Sequence, residues 1–155
     1  MSDINKILLA EFEALKLELI AKYDELGMRA SGSWAKNLEV IAFDDRASLL
    51  SERYSDQLEF GRKPGKQPPS EVIEKWIKDK GIAAKLESGI TVSSLAFLIA
   101  RKIRKEGWNR NTYGGTELLS KVVTPERIQK IIDKVTPIHV TEFVTELINF
   151  LRPKI

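Results

Sequence analysis

Three stretches of this chain hold residue types that do chemistry in other settings. They are Arg62-Lys63-Pro64-Gly65-Lys66, Ser33-Trp34-Ala35-Lys36 and the lone histidine, His139. The first lies between Gly61 and Pro69 and invites comparison with a phosphate cradle. A P-loop needs four residues between its glycines and a Ser or Thr after its lysine, to hold magnesium. Here three residues separate Gly61 from Gly65 and Gln67 follows Lys66, so the stretch reads as a shaped basic loop and not a nucleotide site. Ser33 and Lys36 have the Ser-x-x-Lys spacing of penicillin-recognising enzymes. The accompanying Lys-Thr-Gly is missing and the chain is too short for that fold. One histidine supplies neither a metal-binding pair nor a second candidate for a triad. Beside Pro137, a capping or surface role is the expectation for His139. Asp44 and Asp45 sit in a polar turn with no apolar pocket to raise a pKa. Cysteine is absent, which removes disulfides, thiolate metal sites and cysteine nucleophiles. The expectation is a non-enzyme with no catalytic residue, cofactor or metal.

The basic loop is notable for its stiffness. Gly61, Pro64, Gly65, Pro68 and Pro69 break helix and sheet ladders alike. An amphipathic helix follows, with Val72, Ile73, Trp76 and Ile77 on one face, Pro69 at its start and Gly81 as its stop. Trp76 is expected to be largely buried as the structural anchor of that helix. Arg62, Lys63, Pro64, Gly65 and Lys66 are expected to form an interface with a neighbouring subunit.

The remaining elements must position this loop. At 155 residues and 43% hydrophobic, the chain is long enough for one cored domain, and 30% charged residues suit a soluble protein. A net charge of +3 permits an anionic partner without demanding one. No signal peptide and no membrane-spanning run is visible, so the chain reads as cytoplasmic or assembled there. Asp3 fits the N-cap of a long helix with apolar residues from Ile4 to Leu26, stopped by Gly27. Its apolar face is wide enough to be packed on both sides, or partly reserved for another subunit. Alternation predicts a strand over Lys36 to Phe43, a turn at Asp44-Asp45-Arg46 and a partner strand over Ala47 to Glu52. A short helical turn over Arg53 to Phe60 precedes the loop. Beyond Gly81, a connector leads to a helix capped by Thr91 or Ser93, with Arg101, Lys102, Arg104 and Lys105 near its end and Gly107 after it. Trp108 to Ser120 is the least regular part. Thr124-Pro125-Glu126 starts a further helix, Pro137 is expected to break or kink it, and helical spacing resumes to Leu151. The fold class expected is α+β: a long N-terminal helix and central helices packed on a small hairpin-based antiparallel sheet, over residues 1–123, with a helical C-terminal extension over 124–155.

Gly61-Arg62-Lys63-Pro64-Gly65-Lys66-Gln67-Pro68-Pro69, then Ile73, Trp76 and Lys80-Gly81, resembles a family of tailed-bacteriophage tail-completion and neck (head–tail joining) proteins. The resemblance continues through Leu95 to Ile103, Gly107 and Tyr113 to Leu119, and covers roughly Ala30 to Ser120 in order. It implies a structural virion protein that assembles as a homo-oligomeric ring with other neck, portal or tail proteins, close to genomic DNA, in particles built in the host cytoplasm. Thr124 onward lies outside the resemblance.

The alternative from another class is a small basic nucleic-acid-binding protein. Arg62, Lys63 and Lys66, with Arg101 to Lys105 and Arg110, would meet phosphates, and Trp108 and Tyr113 would stack on bases. Neighbouring acids and the lack of a helix-turn-helix or zinc-finger pattern weigh against it.

Overall fold

The computed structural model describes residues 2–108 and 117–151. The architecture is α+β, as the patterning indicates. Helix α1 runs Asp3–Glu25, one residue after its cap, Ser2, whose hydroxyl accepts from the Asn5 N–H. At its other end the Gly27 N–H donates to Asp24 and the Met28 N–H to Tyr23, a Schellman closure that brings Tyr23 and Met28 into one core. The helix after the basic loop, α4 (Ser70–Asp79), closes in the same way at Gly81.

A two-stranded antiparallel hairpin follows, β1 (Glu39–Phe43) and β2 (Arg46–Leu50), with Val40 opposite Leu49 and Ala42 opposite Ala47 on the half-buried face. Asp44 and Asp45 both have positive φ, 54° and 55°. That pair of conformations is a type I′ turn, whose twist matches the strands it joins. The turn is tied to the start of α1, because the Asp45 N–H donates to Asn5 and the Ser2 hydroxyl to the Asp45 carboxylate.

The strand begins three residues later than alternation predicts. Ser33–Lys36 is instead a single helical turn, α2, placing Trp34 and Ala35 side by side in the core. The indole decides this. Trp34 stacks on Tyr23 with ring centroids 4.7 Å apart, and its Nε1–H donates to the Ser55 hydroxyl at 2.9 Å. A buried tryptophan needs such an acceptor. Ser55 opens α3 (Ser55–Phe60), which matches the expected helical turn before the loop.

Helix α1 packs on both strands of the hairpin and also on α6 (Pro125–Leu151), so its wide apolar face is used from two sides within the chain. Helices α4 and α5 (Val92–Glu106) pack against each other. Ile77 fills that contact at 0% exposure, with Ala96 and Ala100 opposite. Trp76 is 40% exposed, which corrects its expected role as the buried anchor. Successive helical residues point about 100° apart, so the helix that aims Ile73 and Ile77 at α5 turns Val72 and Trp76 to its flank. The anchor is Ile77.

Pro137 does not end α6, which continues to Leu151. A proline removes one ladder donor. Hydroxyls on either side return to the backbone: Thr136 donates to the Ile132 carbonyl and Thr141 to the Pro137 carbonyl, both at 2.8 Å. The first half of α6 starts as read, with the Arg127 N–H donating to the Thr124 hydroxyl. It docks on α1 through Ile131 and Val135 and through an ion cluster. Arg127 bonds Glu18 and Glu11 at 3.1 and 3.0 Å, and Lys134 bonds the other Glu11 oxygen. The Lys134 ammonium holds the Glu11 carboxyl below the usual glutamate range; burial opposes it, and Arg127 adds to the lowering. No helix among the described residues is long and apolar enough to cross a membrane.

Candidate assembly interface

The basic loop is fastened along its length. Gly61 closes α3, and the next residue, Arg62, forms an antiparallel bridge with Trp108, each N–H donating to the other's carbonyl at 2.6 and 2.7 Å. The Gly65 N–H donates to the carbonyl of Arg104 in the last turn of α5. The Arg62 guanidinium reaches across the loop to the Lys66 carbonyl at 2.7 Å. Pro68 is buried where the chain turns into α4. With its own backbone occupied in this way, the loop needs little further ordering to meet a partner.

Gly107 makes the close approach possible. Its φ is +74°, and an added Cβ would lie 2.2 Å from the Arg62 carbonyl oxygen and 2.9 Å from the Pro64 nitrogen. Only glycine fits that conformation and that gap.

Of the residues expected at an interface, Lys63, Pro64, Gly65 and Lys66 are exposed. Arg62 is half-buried, and its side chain serves the loop itself. Sequence reasoning held this loop and the cations at the end of α5 apart. The Gly65–Arg104 hydrogen bond joins them, so Lys63 and Lys66 share one end of the molecule with exposed Arg104 and Lys105. Trp108 is part of the bridge. Arg110 and the Tyr113-Gly114-Gly115-Thr116 segment, and Pro153 beyond α6, lie outside the described residues.

Comparison with known proteins returned no match. Neither a family model, nor a curated protein, nor a solved structure matches the chain.

The other chemistry-bearing residues do not converge. Ser33's hydroxyl lies 3.1 Å from that of Ser31 and 3.3 Å from that of Tyr54, on the surface. His139 is exposed, 3.9 Å from Glu142. Among the described residues no cluster of His, Asp and Glu could hold a metal ion. Sequence reasoning also missed Glu59, a buried carboxylate that accepts the Leu119 N–H at 2.6 Å, the Ser120 N–H at 3.2 Å and the Ser120 hydroxyl. It caps the turn that returns Leu118 to the main core. Those donors offset the cost of burying the charge. Nothing local in the sequence marks Glu59, because the N–H groups it holds come from about sixty residues away.

Proposed function

We propose that this chain is a structural subunit of a tailed-phage particle, a ring-forming neck, connector or tail-completion protein that joins head and tail. The observation that carries the reading is the second half of α6. Beyond Pro137 it leaves Val140, Phe143, Val144, Leu147, Ile148, Phe150 and Leu151 exposed. These residues recur at three- and four-residue steps, so they make one continuous apolar stripe. Stripes of that kind on a folded surface mark contact with another macromolecule. The fastened basic loop is a second surface of different chemistry. Two unlike patches are what a head-to-tail contact between identical copies needs, and such contacts close into rings when the rotation allows. The resemblance of roughly Ala30 to Ser120 to neck and tail-completion proteins supports a place in the neck or tail, without selecting one station there.

Native mass spectrometry and negative-stain imaging of the purified protein, with and without phage particles, test the reading. A closed ring or a particle-bound pool is expected. A monomer under both conditions overturns it.

A second reading, a small basic nucleic-acid-binding protein, is favoured by one observation: the loop lysines and the last-turn cations of α5 share one end of the molecule. Duplex binding through phosphates weakens with salt at a log–log slope of about −0.9 per phosphate neutralised. The ring reading expects only weak binding, gone at physiological salt. Tight or sequence-selective binding there would favour the second reading.

A further inference from the structure

We infer that the outward face of the hairpin is a contact between two copies of this chain, stacked sheet on sheet with the turn of one hairpin over the open end of the other. This face is separate from the tail and from the basic loop, so the contact stands or falls apart from the ring reading. An antiparallel sheet with one face in water ordinarily alternates apolar inward and polar outward. This hairpin departs from that rule. Toward α1 it turns Val40, Ala42, Ala47 and Leu49, two of them alanines. Away from α1 it turns Ile41, Phe43 and Leu50, which are 44%, 77% and 45% exposed, together with Glu39, Ser48 and Arg46. The larger apolar side chains therefore point away from the core.

The register sets opposite charges at opposite ends of this face. Arg46 stands opposite Phe43 beside the turn, and Glu39 stands opposite Leu50 at the open end. Both charged residues are exposed, and neither has an ion-pair partner among the described residues. Four strand positions separate them, about 13 Å, which is too far for pairing within one hairpin. Each end thus carries one apolar side chain and one charge. Two such faces stacked about a two-fold axis across the strands bring the Phe43–Arg46 end of each copy over the Glu39–Leu50 end of the other. Both charges then meet their opposites, the apolar ends meet, and Ile41 of one copy lies over Ile41 of the other. A two-fold axis along the strands would set turn over turn, with Arg46 near Arg46 and Glu39 near Glu39. The charges select the first arrangement. A face laid out in this way is complementary to itself, as a contact between identical patches requires. Two strands of five residues, about 17 Å long, make a face smaller than the roughly 800 Å² per partner of stable complexes. The pairing is therefore expected to be weak and to rise with protein concentration.

Cross-linking tests the contact, because the chain has no natural cysteine. Packed sheets lie about 10 Å apart, within reach of a short bis-maleimide. Ile41→Cys chains are expected to conjugate with each other, and Glu39→Cys chains with Phe43→Cys chains. Phe43→Cys alone is expected to conjugate poorly although Phe43 is more exposed than Ile41, because the two copies place that residue at opposite ends of the stack. Circular dichroism confirms that each variant is folded. Self-conjugation of Phe43→Cys at or above the mixed yield would show chance collision or turn-on-turn stacking and overturn the inference. Conjugation of Ile41→Cys with Val144→Cys in preference to itself would put the stripe of α6 on this face and overturn it too.

Charge exchange supplies the second measurement. In Ile41→Cys chains, Glu39→Arg and Arg46→Glu are each expected to slow conjugation about tenfold, since the two-fold axis doubles every lost pair and sets like charges in its place. Both substitutions in one chain are expected to restore the rate. An unchanged rate in either single exchange, or no recovery in the double exchange, overturns the contact. Native mass spectrometry of the same samples keeps the two readings apart. Rings without Ile41→Cys conjugation overturn the hairpin contact and leave the ring reading standing, whereas conjugation without rings supports the hairpin contact and counts against the ring.

Discussion

Arg62 and Trp108 bond to each other twice through their backbones, and the residue between Trp108 and the end of α5, Gly107, sits where a side chain would meet the Arg62 carbonyl at 2.2 Å. This contact sets the shape of the basic loop. It also ties that shape to the position of α5, because the Gly65 N–H donates to the Arg104 carbonyl on the other side of the loop.

Gly107→Ala should therefore be costly. The residue meets both a left-handed φ of +74° and a backbone clash. Each strained feature of that kind costs about 1–3 kcal/mol. A loss of stability in that range, seen as a lowered melting temperature, is expected, and an unchanged transition would show that the loop does not press on α5.

Lys63→Glu with Lys66→Glu should separate folding from assembly. Both side chains are exposed, and isolated surface charges contribute little to stability, about 0–1 kcal/mol. The circular dichroism spectrum should be unchanged while incorporation into particles falls, since opposed like charges across an interface cost several kcal/mol. Arg62 is the wrong residue for this experiment, because its guanidinium holds the Lys66 carbonyl and its loss reshapes the loop. Normal incorporation of the double variant would reduce the loop to a connector.

Ile77→Ala and Trp76→Ala should differ in the order their burial dictates. Ile77 is wholly enclosed between α4 and α5, and truncating such a residue costs about 2–5 kcal/mol. Trp76 lies on the flank, and roughly 1 kcal/mol is expected there. Denaturant midpoints of the two variants check this. A larger loss at Trp76 would mean that α4 is rotated from the orientation described.

Acid should loosen the contact between α1 and α6. The Glu11 carboxyl is held below its ordinary value by Lys134 and Arg127. A carboxyl with a lowered folded pKa contributes stability that is fully present above its unfolded value, about 4.3. That contribution is lost as the pH falls through the folded value. Glu11→Gln should cost about 2 kcal/mol at pH 7, the order expected for hydrogen bonds to charged groups. The difference in melting temperature between Glu11→Gln and the unmodified chain should shrink below about pH 4. A difference that stays constant down to pH 3 would mean that Glu11 is not titrating as part of this cluster.

What the sequence determined by itself are the features closed by hydrogen bonds within a few residues. Thr91 caps α5 by accepting from Ser94 and Thr124 caps α6 by accepting from Arg127. Gly27 and Gly81 stop their helices, and Asp44-Asp45 turns the hairpin. Each of these is legible because donor, acceptor and required φ all belong to one short stretch. Tertiary structure decided the features whose partners lie far along the chain. Alternation starts the strand at Lys36, three residues early, because Lys36 ends the helical turn in which Trp34 is enclosed by Tyr23 and Ser55. The apolar face of α4 contains both Trp76 and Ile77, and only the placement of α5 selects Ile77 for burial. Pro137 is a breaker by local rule, yet it removes one donor from a helix whose preceding turns are already held on α1. The basic loop is visible as a loop, but its union with the end of α5 exists only through the Arg62–Trp108 and Gly65–Arg104 hydrogen bonds. Those form between residues about forty positions apart. A local pattern has no means of recording them.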